Sequence, residues 1–290
     1  GGMAAMFTMM NNARLGVGGQ GIGVAEAAFQ HALGYALERK QGRTGTDGTG
    51  SIVEHADVRR MLAVMKADVF AARAIALSCA YALDMANATG DSVWRARAAL
   101  LTPIAKAFGT DTGCTVADIG VQVHGGMGVI EETAAAQFSR DVRVTTIYEG
   151  TNGIQAMDLV ARKMMDGGEA AGLLLDEMEE DIEAARPDFP NMADAVWQAC
   201  ESMREATEWL VAQDNMNNRF AGAVPYLRAF ARVLGAQLHL KAAMADKGGP
   251  REKLARFYIL RMLPEHAGLL VHAQAGETDL FAVTPDALAS

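Results

Sequence analysis

Cysteine, proline and aromatic residues are all scarce in this chain of 290 residues, which has 3 cysteines, 7 prolines and 6% aromatic residues. The cysteines, Cys79, Cys114 and Cys200, are odd in number and far apart, so they do not indicate a disulfide framework. They resemble core positions instead. A reducing, cytoplasmic setting fits this cysteine usage best.

Positive charge is also in deficit, because 26 lysine and arginine residues face 35 aspartate and glutamate residues and give a net charge of −9. Such a chain repels phosphodiester backbones and anionic lipid, so we discount nucleic acid and membrane surfaces as partners. The most apolar segment, residues 69–88, is interrupted by Arg73 and Asp84 and therefore predicts a buried helix rather than a membrane span. The sequence opens on GGMAAMFTMMNN without an initiating methionine, from which we expect a tag remnant or a fragment of a longer polypeptide.

Several motifs that would carry chemistry are missing. The sequence has no Glu-x-x-His motif of the kind that holds di-iron in helix bundles, so we predict no metal. It has no G-x-S-x-G elbow and no histidine beside a cysteine, so covalent catalysis is not expected. GVGGQG, residues 16–21, matches a dinucleotide-binding pattern, but helix formers precede it and no βαβ unit follows. We interpret these glycines as positions where a neighbouring helix or a ligand approaches the backbone closely.

What the chain has in abundance is hydrophobic residues, 50% of the total, with alanine, leucine, methionine and glutamate recurring throughout. These residue types lose little side-chain freedom in a helix, which predicts an all-α protein. Apolar residues spaced three to four positions apart, with breaks at glycine-rich stretches, predict helices near residues 3–41, 54–88, 93–123, 132–138 and 153–165. We expect an up-and-down four-helix bundle over residues 1–166.

A composition change after MMDGGEAAG marks a candidate linker. We therefore place a domain boundary there and predict a second, smaller helical bundle over residues 167–290. Its helices are expected near residues 171–185, 192–216, 221–245 and 251–275.

The stretch TTIYEGTNGIQ allows two interpretations. In the first, Thr151 is an N-cap and Glu149 is an acid placed near the positive end of a helix dipole, which accounts for both residue types. In the second, Gly150 removes bulk beside the carboxylate, and the free N–H groups of the helix start receive an acceptor-rich ligand. Under the second interpretation, the carboxylate acts as a base towards that ligand.

Four stretches occur in an order and at separations that match a known family. They are NNAR, ALERKQG, QVHGGMG and RDVRVTTIYEGTNGIQ. Together they resemble the C-terminal helical domain of acyl-CoA dehydrogenases, flavoenzymes that introduce a double bond between C2 and C3 of an acyl thioester. The similarity covers about residues 3–165. The opening MFTMMNNARLGVG and the extra C-terminal helical region look like a subgroup of long acyl-CoA dehydrogenases, which includes enzymes acting on 3-methylthiopropionyl-CoA.

The resemblance implies a role for each matching residue. Glu149 is implied to be the base that removes the C2 proton while FAD accepts hydride from C3, and Gly150 to leave room for the thioester. Arg14, with Asn11 beside it, matches a position lining the acyl-CoA pocket. The implied cofactor contacts are Thr151, Asn152 and Gly153 at the flavin, Arg39 and Gln41 at the FAD pyrophosphate of a neighbouring subunit, and Gln122 and Gly126.

The resemblance also implies an acyl-CoA substrate in fatty acid metabolism, electron-transfer flavoprotein as acceptor and a homo-oligomer, either a dimer or a tetramer. One departure is that Gly42 and a glycine–threonine loop stand where many members have Phe-Gly. The N-terminal helical domain and the middle β-domain are not in this sequence, so we expect the chain alone to be inactive. The alternative is a non-catalytic helical module whose role is oligomerisation.

Overall fold

The computed structural model describes residues 2–44 and 48–290, with the side chains of residues 9, 10, 12–44 and 48–290. The all-α prediction is confirmed: over these residues the only β-type pairing is an isolated bridge between Lys40 and Ser51. The helices are α1 Gly2–Glu38, α2 Ala56–Thr89, α3 Ser92–His124, α4 Ala135–Arg143, α5 Asn152–Val160, α6 Glu169–Ala185, α7 Pro190–Val211, α8 Met216–Ala221, α9 Ala223–Ala245, α10 Pro250–Arg261, α11 Glu265–Ala273, α12 Thr278–Ala282 and α13 Pro285–Ala289.

Helices α1 and α3 lie side by side in parallel, and glycines make their contact close. A Cβ atom on Gly18 would lie 2.9 Å from the carbonyl oxygen of Ala105, and one on Gly21 would lie 2.7 Å from that of Gly109. Neither distance leaves room for a side chain. The interpretation of close backbone approach is therefore confirmed at Gly18 and Gly21, where the approaching element is α3, whereas a Cβ atom on Gly16 or Gly19 would meet nothing within 4 Å.

Helix α2 is the one helix in the described part of the chain that is long and apolar enough to cross a membrane. In the fold, one face of α2 contacts α1, α3 and α9, and Ala67, Ala71, Ile75 and Cys79 on that face are buried. Arg73 on its outer side pairs with Glu26 of α1 at 2.7 Å. This arrangement is typical of a helix that packs into a protein core.

The hydrophobic core continues across the predicted boundary at residue 167. Leu101 and Phe108 of α3 and Leu159 of α5 belong to the same buried cluster as Leu175 of α6 and Phe230 of α9. Burial of apolar surface therefore holds the C-terminal helices onto the first bundle. The boundary itself stays a prediction.

Several predicted helices differ from the observed ones. The helix expected over residues 192–216 ends at Val211, and α8 begins at Met216. The helix expected over residues 251–275 is two helices, because Pro264 lies between α10 and α11 and has no N–H to continue the helical hydrogen bonds. The helix expected over residues 132–138 begins later, at α4, because Ala134 has a left-handed backbone with φ +59°. The three cysteines form no disulfide, and Cys79 and Cys200 are buried as predicted.

Candidate functional site

The loop between α4 and α5 carries the predicted base in an unusual backbone conformation. Glu149 has φ +56° and Gly150 has φ +86°, so two successive residues are left-handed. This region is uncommon for a residue with a side chain and costs on the order of 1 kcal/mol or more. Glu149 is half-buried. Within the described part of the chain, neither its carboxylate nor its N–H takes part in a hydrogen bond or an ion pair.

Helix α5 begins directly after this turn. The Oγ1 atom of Thr151 accepts a hydrogen bond from the N–H of Ile154 at 3.3 Å, so the N-cap interpretation of Thr151 is confirmed. Two further side chains attach the turn to its surroundings. Tyr148 donates its hydroxyl proton to Oε1 of Gln20 in α1, and Nε2 of Gln155 donates to the carbonyl oxygens of Glu149 and Gly150, both at 3.2 Å.

A buried polar cluster on α3 holds the first residue of α5. Lys106 is fully buried, and its Nζ donates to Oδ1 of Asn152 at 2.8 Å. The amide nitrogen of Asn152 donates in turn to Oδ1 of Asp111 at 2.6 Å and to Oγ1 of Thr110 at 2.9 Å. Asn152, a predicted cofactor contact, is therefore fixed from the side of α3.

The electrostatics of this cluster connect it to Glu149. Burial lowers the pKa of Lys106 to about 8, an effect that Asp111 opposes, Arg14 strengthens and Glu149 opposes. Burial also raises the pKa of Asp111. Lys106 thus lies within electrostatic reach of both Glu149 and Arg14, although it contacts neither by a hydrogen bond. Titratable groups with shifted pKa values are common at functional sites.

Arg14 of α1 contacts α5. Its Nη1 pairs with Oδ2 of Asp158 at 3.1 Å, and the two side chains are 5% and 1% exposed. Arg162 also pairs with Asp158, at 2.6 Å. The role of Arg14 as a substrate contact therefore stays a prediction. Asn11 is three residues earlier in α1, and its side chain lies outside the described residues.

Large apolar side chains on both sides of Glu149 along the chain face solvent. Between 37% and 54% of each is exposed, and they are Val144, Ile147, Tyr148, Ile154 and Met157. Apolar residues concentrated in this way mark a surface that another part of a protein or a ligand covers. The uncommitted carboxylate of Glu149 lies among them in the chain.

The other predicted cofactor contacts lie at a different end of the bundle. Arg39 donates from Nη2 to Oε1 of Gln41 at 3.3 Å, and both side chains are exposed. Stacked rings of Tyr35 and His124, with centroids 4.4 Å apart, place this segment beside the exposed residues Gln122 and Gly126 at the end of α3. The helix between Lys106 and Gln122 is about 24 Å long at the usual rise per residue. The structure therefore separates these four residues from Thr151, Asn152 and Gly153.

Both groups of residues fit a cofactor of the kind predicted. A Cβ atom on Gly125 or Gly126 would meet nothing within 4 Å, so the backbone there is open to an approaching group. Nearby, Nε2 of the buried His124 has no hydrogen-bond partner among the described residues. At the other group, the helix start and the amide of Asn152 present polar groups beside exposed apolar side chains. Over the described residues, no three metal-ligating side chains come together, and the absence of a metal stays a prediction.

Comparison with known proteins identifies the family. The family model described as "Acyl-CoA dehydrogenase, C-terminal domain" matches residues 1–165. The chain belongs to the acyl-CoA dehydrogenase family. A second model, described as "Acetyl-CoA dehydrogenase C-terminal like", matches residues 174–284 of this family member. The resemblance inferred from NNAR, ALERKQG, QVHGGMG and the stretch around Glu149 is confirmed.

Curated relatives of this acyl-CoA dehydrogenase chain are longer proteins. A 3-methylmercaptopropionyl-CoA dehydrogenase of Ruegeria pomeroyi is 40% identical over 272 residues, which are 87% of this chain and 46% of the relative. A butyryl-CoA dehydrogenase of Syntrophomonas wolfei is 32% identical and aligns with 96% of this chain and 50% of its own length. This chain therefore spans about half the length of the curated relatives it matches.

A solved structure has the same fold. The acyl-CoA dehydrogenase of Bacillus anthracis, complexed with FAD, superposes with a TM-score of 0.75 over 94% of this chain and 49% of that chain. The two sequences are only 19% identical, so the likeness concerns the fold alone.

Sequence reasoning did not find Lys106, Asp111 or Gln155. Lys106 and Asp111 lie more than forty positions before the residue they hold, Asn152, so no local spacing relates them. Gln155 lies inside the stretch that carries the resemblance. Gln155 stands next to Ala156 and shares a helix with Leu159, and both of these apolar residues are buried, whereas Met157 is exposed. A polar residue among buried apolar ones is unusual, and this was the available signal.

Proposed function

We propose that this chain carries the proton-abstracting residue of an FAD-dependent acyl-CoA dehydrogenase, and that this residue is Glu149. One observation supports the proposal above the others. The Glu149 carboxylate is half-buried and makes no hydrogen bond or ion pair among the described residues, in a left-handed turn beside a helix start. A structural acid near a helix dipole needs neither the left-handed turn nor the surrounding exposed apolar side chains. The names of the relatives support an acyl-CoA as the substrate.

The chemistry needs more than a carboxylate. The C2 proton of a thioester is far too weakly acidic for a solvated glutamate, so the site has to exclude water and stabilise the developing enolate oxygen. The uncommitted N–H of Glu149 is the donor that this chain offers to that oxygen. We propose that Gly150, by lacking a side chain, leaves room for the thioester. Bound FAD supplies the acceptor for the hydride that leaves C3.

Two separate groups of residues would hold the cofactor. Thr151, Asn152 and Gly153 lie at the start of α5, and Arg39, Gln41, Gln122 and Gly126 lie at the C-terminal ends of α1 and α3. Because about 24 Å of helix separates them, we propose that the two groups serve two different FAD molecules. This requires a homo-oligomer, a dimer or a tetramer. We further propose upstream domains that complete the site, electron-transfer flavoprotein as acceptor and a cytoplasmic location.

The test uses the complete enzyme, meaning this chain together with the N-terminal and middle domains that the resemblance predicts. Glu149→Gln keeps the size of the side chain but removes the base. We expect the rate at which an acyl-CoA bleaches the flavin to fall about 100-fold to 10,000-fold, which is the usual contribution of a positioned base. The flavin absorbance of the purified variant should be unchanged. Both are measured by anaerobic stopped-flow absorbance.

The matched control is Glu169→Gln, which makes the same change at an exposed position in the first turn of α6. It should bleach at the rate of the unmodified enzyme. Retained bleaching by Glu149→Gln would remove the assignment of the base. If the complete enzyme assembles but binds neither FAD nor acyl-CoA, the chain is the oligomerisation module instead.

A further inference from the structure

The backbone of Glu149 needs support from outside its own turn. Glu149 is left-handed although it carries a side chain, and such a conformation is costly and persists only where neighbouring groups hold it, whereas Gly150 adopts the same region freely. The Glu149 side chain does not hold the turn, because within the described residues its carboxylate makes no hydrogen bond or ion pair. The supporting contacts must therefore reach the main chain of the turn.

Gln155 makes those contacts. Its side chain is fully buried, and its single amide nitrogen donates to the carbonyl oxygens of both left-handed residues, each at 3.2 Å. Gln155 lies in α5, whose start is capped by Thr151. One side chain on a regular helix thus fixes the orientation of two successive peptide groups next to the base.

The neighbouring glycine is matched to this contact. A Cβ atom on Gly150 would lie 2.8 Å from Nε2 of Gln155, which is closer than real Cβ atoms come to other atoms. Glycine at position 150 therefore serves two needs, the left-handed φ and the approach of the amide. The turn and the glutamine form one unit.

The oxygen end of the Gln155 amide shows that burying this side chain costs stability. Oε1 of Gln155 is buried and has no hydrogen-bond partner among the described residues. A buried acceptor without a partner is destabilising, so an apolar side chain of similar size would suit the packing of α5 better. The orientation of the amide is fixed, because only its nitrogen end can donate to the two carbonyls.

We propose that Gln155 is a positioning residue, which holds the main chain of Glu149 so that its carboxylate and N–H face the reacting thioester. The inference rests on the proposed function of Glu149. Gln155 itself does not touch the substrate. It acts through the turn, and displacement of a reacting group by about 1 Å is enough to cost on the order of 100-fold in rate.

The test replaces Gln155 by methionine in the complete enzyme, which keeps the length of the side chain and removes both N–H donors. We expect flavin bleaching by acyl-CoA to slow about 10-fold to 100-fold, with kcat reduced more than KM is raised and the flavin absorbance retained. The deuterium isotope effect on bleaching, measured with acyl-CoA deuterated at C2, should increase because proton abstraction becomes slower relative to the other steps. Hydrogen exchange of the peptide covering residues 147–154 should become faster.

Two further variants separate positioning from folding. Gln237→Met removes another buried glutamine, which bonds Asp181 in the C-terminal region, and should leave the rate and the isotope effect unchanged. Gln155→Asn keeps the amide but shortens its reach, and should fall between the unmodified enzyme and Gln155→Met. It replaces Gln155→Met if that variant does not fold.

The outcomes distinguish the inference from the function on which it rests. If Glu149→Gln stops bleaching but Gln155→Met bleaches within about 2-fold of the unmodified enzyme, the positioning role is wrong and the base assignment stands. A slower Gln155→Met with an unchanged isotope effect also overturns the positioning role, because only the amount of active enzyme has fallen. If Glu149→Gln still bleaches, both the function and the inference are wrong.

Discussion

Around Arg232, buried charges are paired with one another, whereas around Lys106 a buried amine donates to a neutral amide and forms no ion pair within the described residues. Arg232 of α9 pairs with Asp68 of α2 at 2.5 Å and with Glu265 of α11 at 2.8 Å, and it donates to the hydroxyl of Tyr258 at 3.1 Å. The amine of Lys106 has the amide oxygen of Asn152 as its hydrogen-bond acceptor.

The pKa values of Arg232 and Lys106 shift in opposite directions, although burial by itself lowers both. Burial disfavours the charge of Arg232, yet Tyr258, Asp68 and Glu265 raise its pKa. Burial lowers the pKa of Lys106, and the acids near it do not compensate. The cluster at the junction with the C-terminal helices is complete, which is typical of a structural site. The cluster near Glu149 is incomplete, and incomplete polar sites in an otherwise consistent fold are typical of function.

The substitution with the largest expected effect removes Arg232 from the complete cluster. Arg232→Met leaves Asp68 buried without its partner, so we expect the free energy of unfolding to fall by about 3–5 kcal/mol. The measurement is urea unfolding at neutral pH. Arg60→Met is the control, because Arg60 pairs with Asp57 on the surface and such pairs contribute about 0–1 kcal/mol. Equal effects of the two substitutions would contradict a structural role for the junction cluster.

The second prediction concerns pH and the incomplete cluster. Between about pH 8 and the ordinary lysine value of 10.5, the folded chain holds fewer protons on Lys106 than the unfolded chain does. Stability from this group therefore rises as pH rises through that window. We expect Lys106→Met to remove this rise, as judged by thermal unfolding from pH 7 to 10.5.

Lys241 provides the comparison for this second prediction. It is half-exposed and pairs with Asp181, so Lys241→Met should keep the pH dependence of the unmodified chain. An unchanged pH dependence in Lys106→Met would show that this amine stays charged when folded, and the contrast between the clusters would fail.

The substitutions with the smallest expected effect replace two helix N-caps, one at the site and one elsewhere, and compare their effects on stability and on activity. Thr151 caps α5 at the site, and Asp91 caps α3 elsewhere by accepting from the N–H of Val93 at 2.9 Å. Replacing either by alanine should cost about 1 kcal/mol of stability. Only Thr151→Ala should also slow flavin bleaching, because only that helix start belongs to the site. Equal bleaching rates in both variants would place Thr151 outside it.

The long helices were predictable from sequence because their causes are local. Apolar spacing and glycine-rich breaks placed α1, α2 and α3 within a few residues of their observed ends. The break at Pro264 was overlooked, although proline is a local signal. The left-handed Ala134 could not be predicted, because alanine has no preference for that conformation.

The site was predictable only in part, for a physical reason. The stretch around Glu149 carries its own motif, so the resemblance predicted Glu149 as the base, and residue type alone predicted Thr151 as the N-cap. Lys106 and Asp111 act through contacts between distant segments, which neither composition nor spacing shows. The role of Gln155 can be inferred only once the backbone angles of Glu149 are known.

The most direct test of the account measures proton abstraction alone. The complete enzyme is incubated in deuterated water with an acyl-CoA, and deuterium incorporation at C2 is followed by mass spectrometry, with the unmodified enzyme and Glu149→Gln compared. We predict that the unmodified enzyme incorporates deuterium at C2 and that Glu149→Gln, with its flavin still bound, does not. Incorporation by Glu149→Gln at the unmodified rate would show that another group removes the proton.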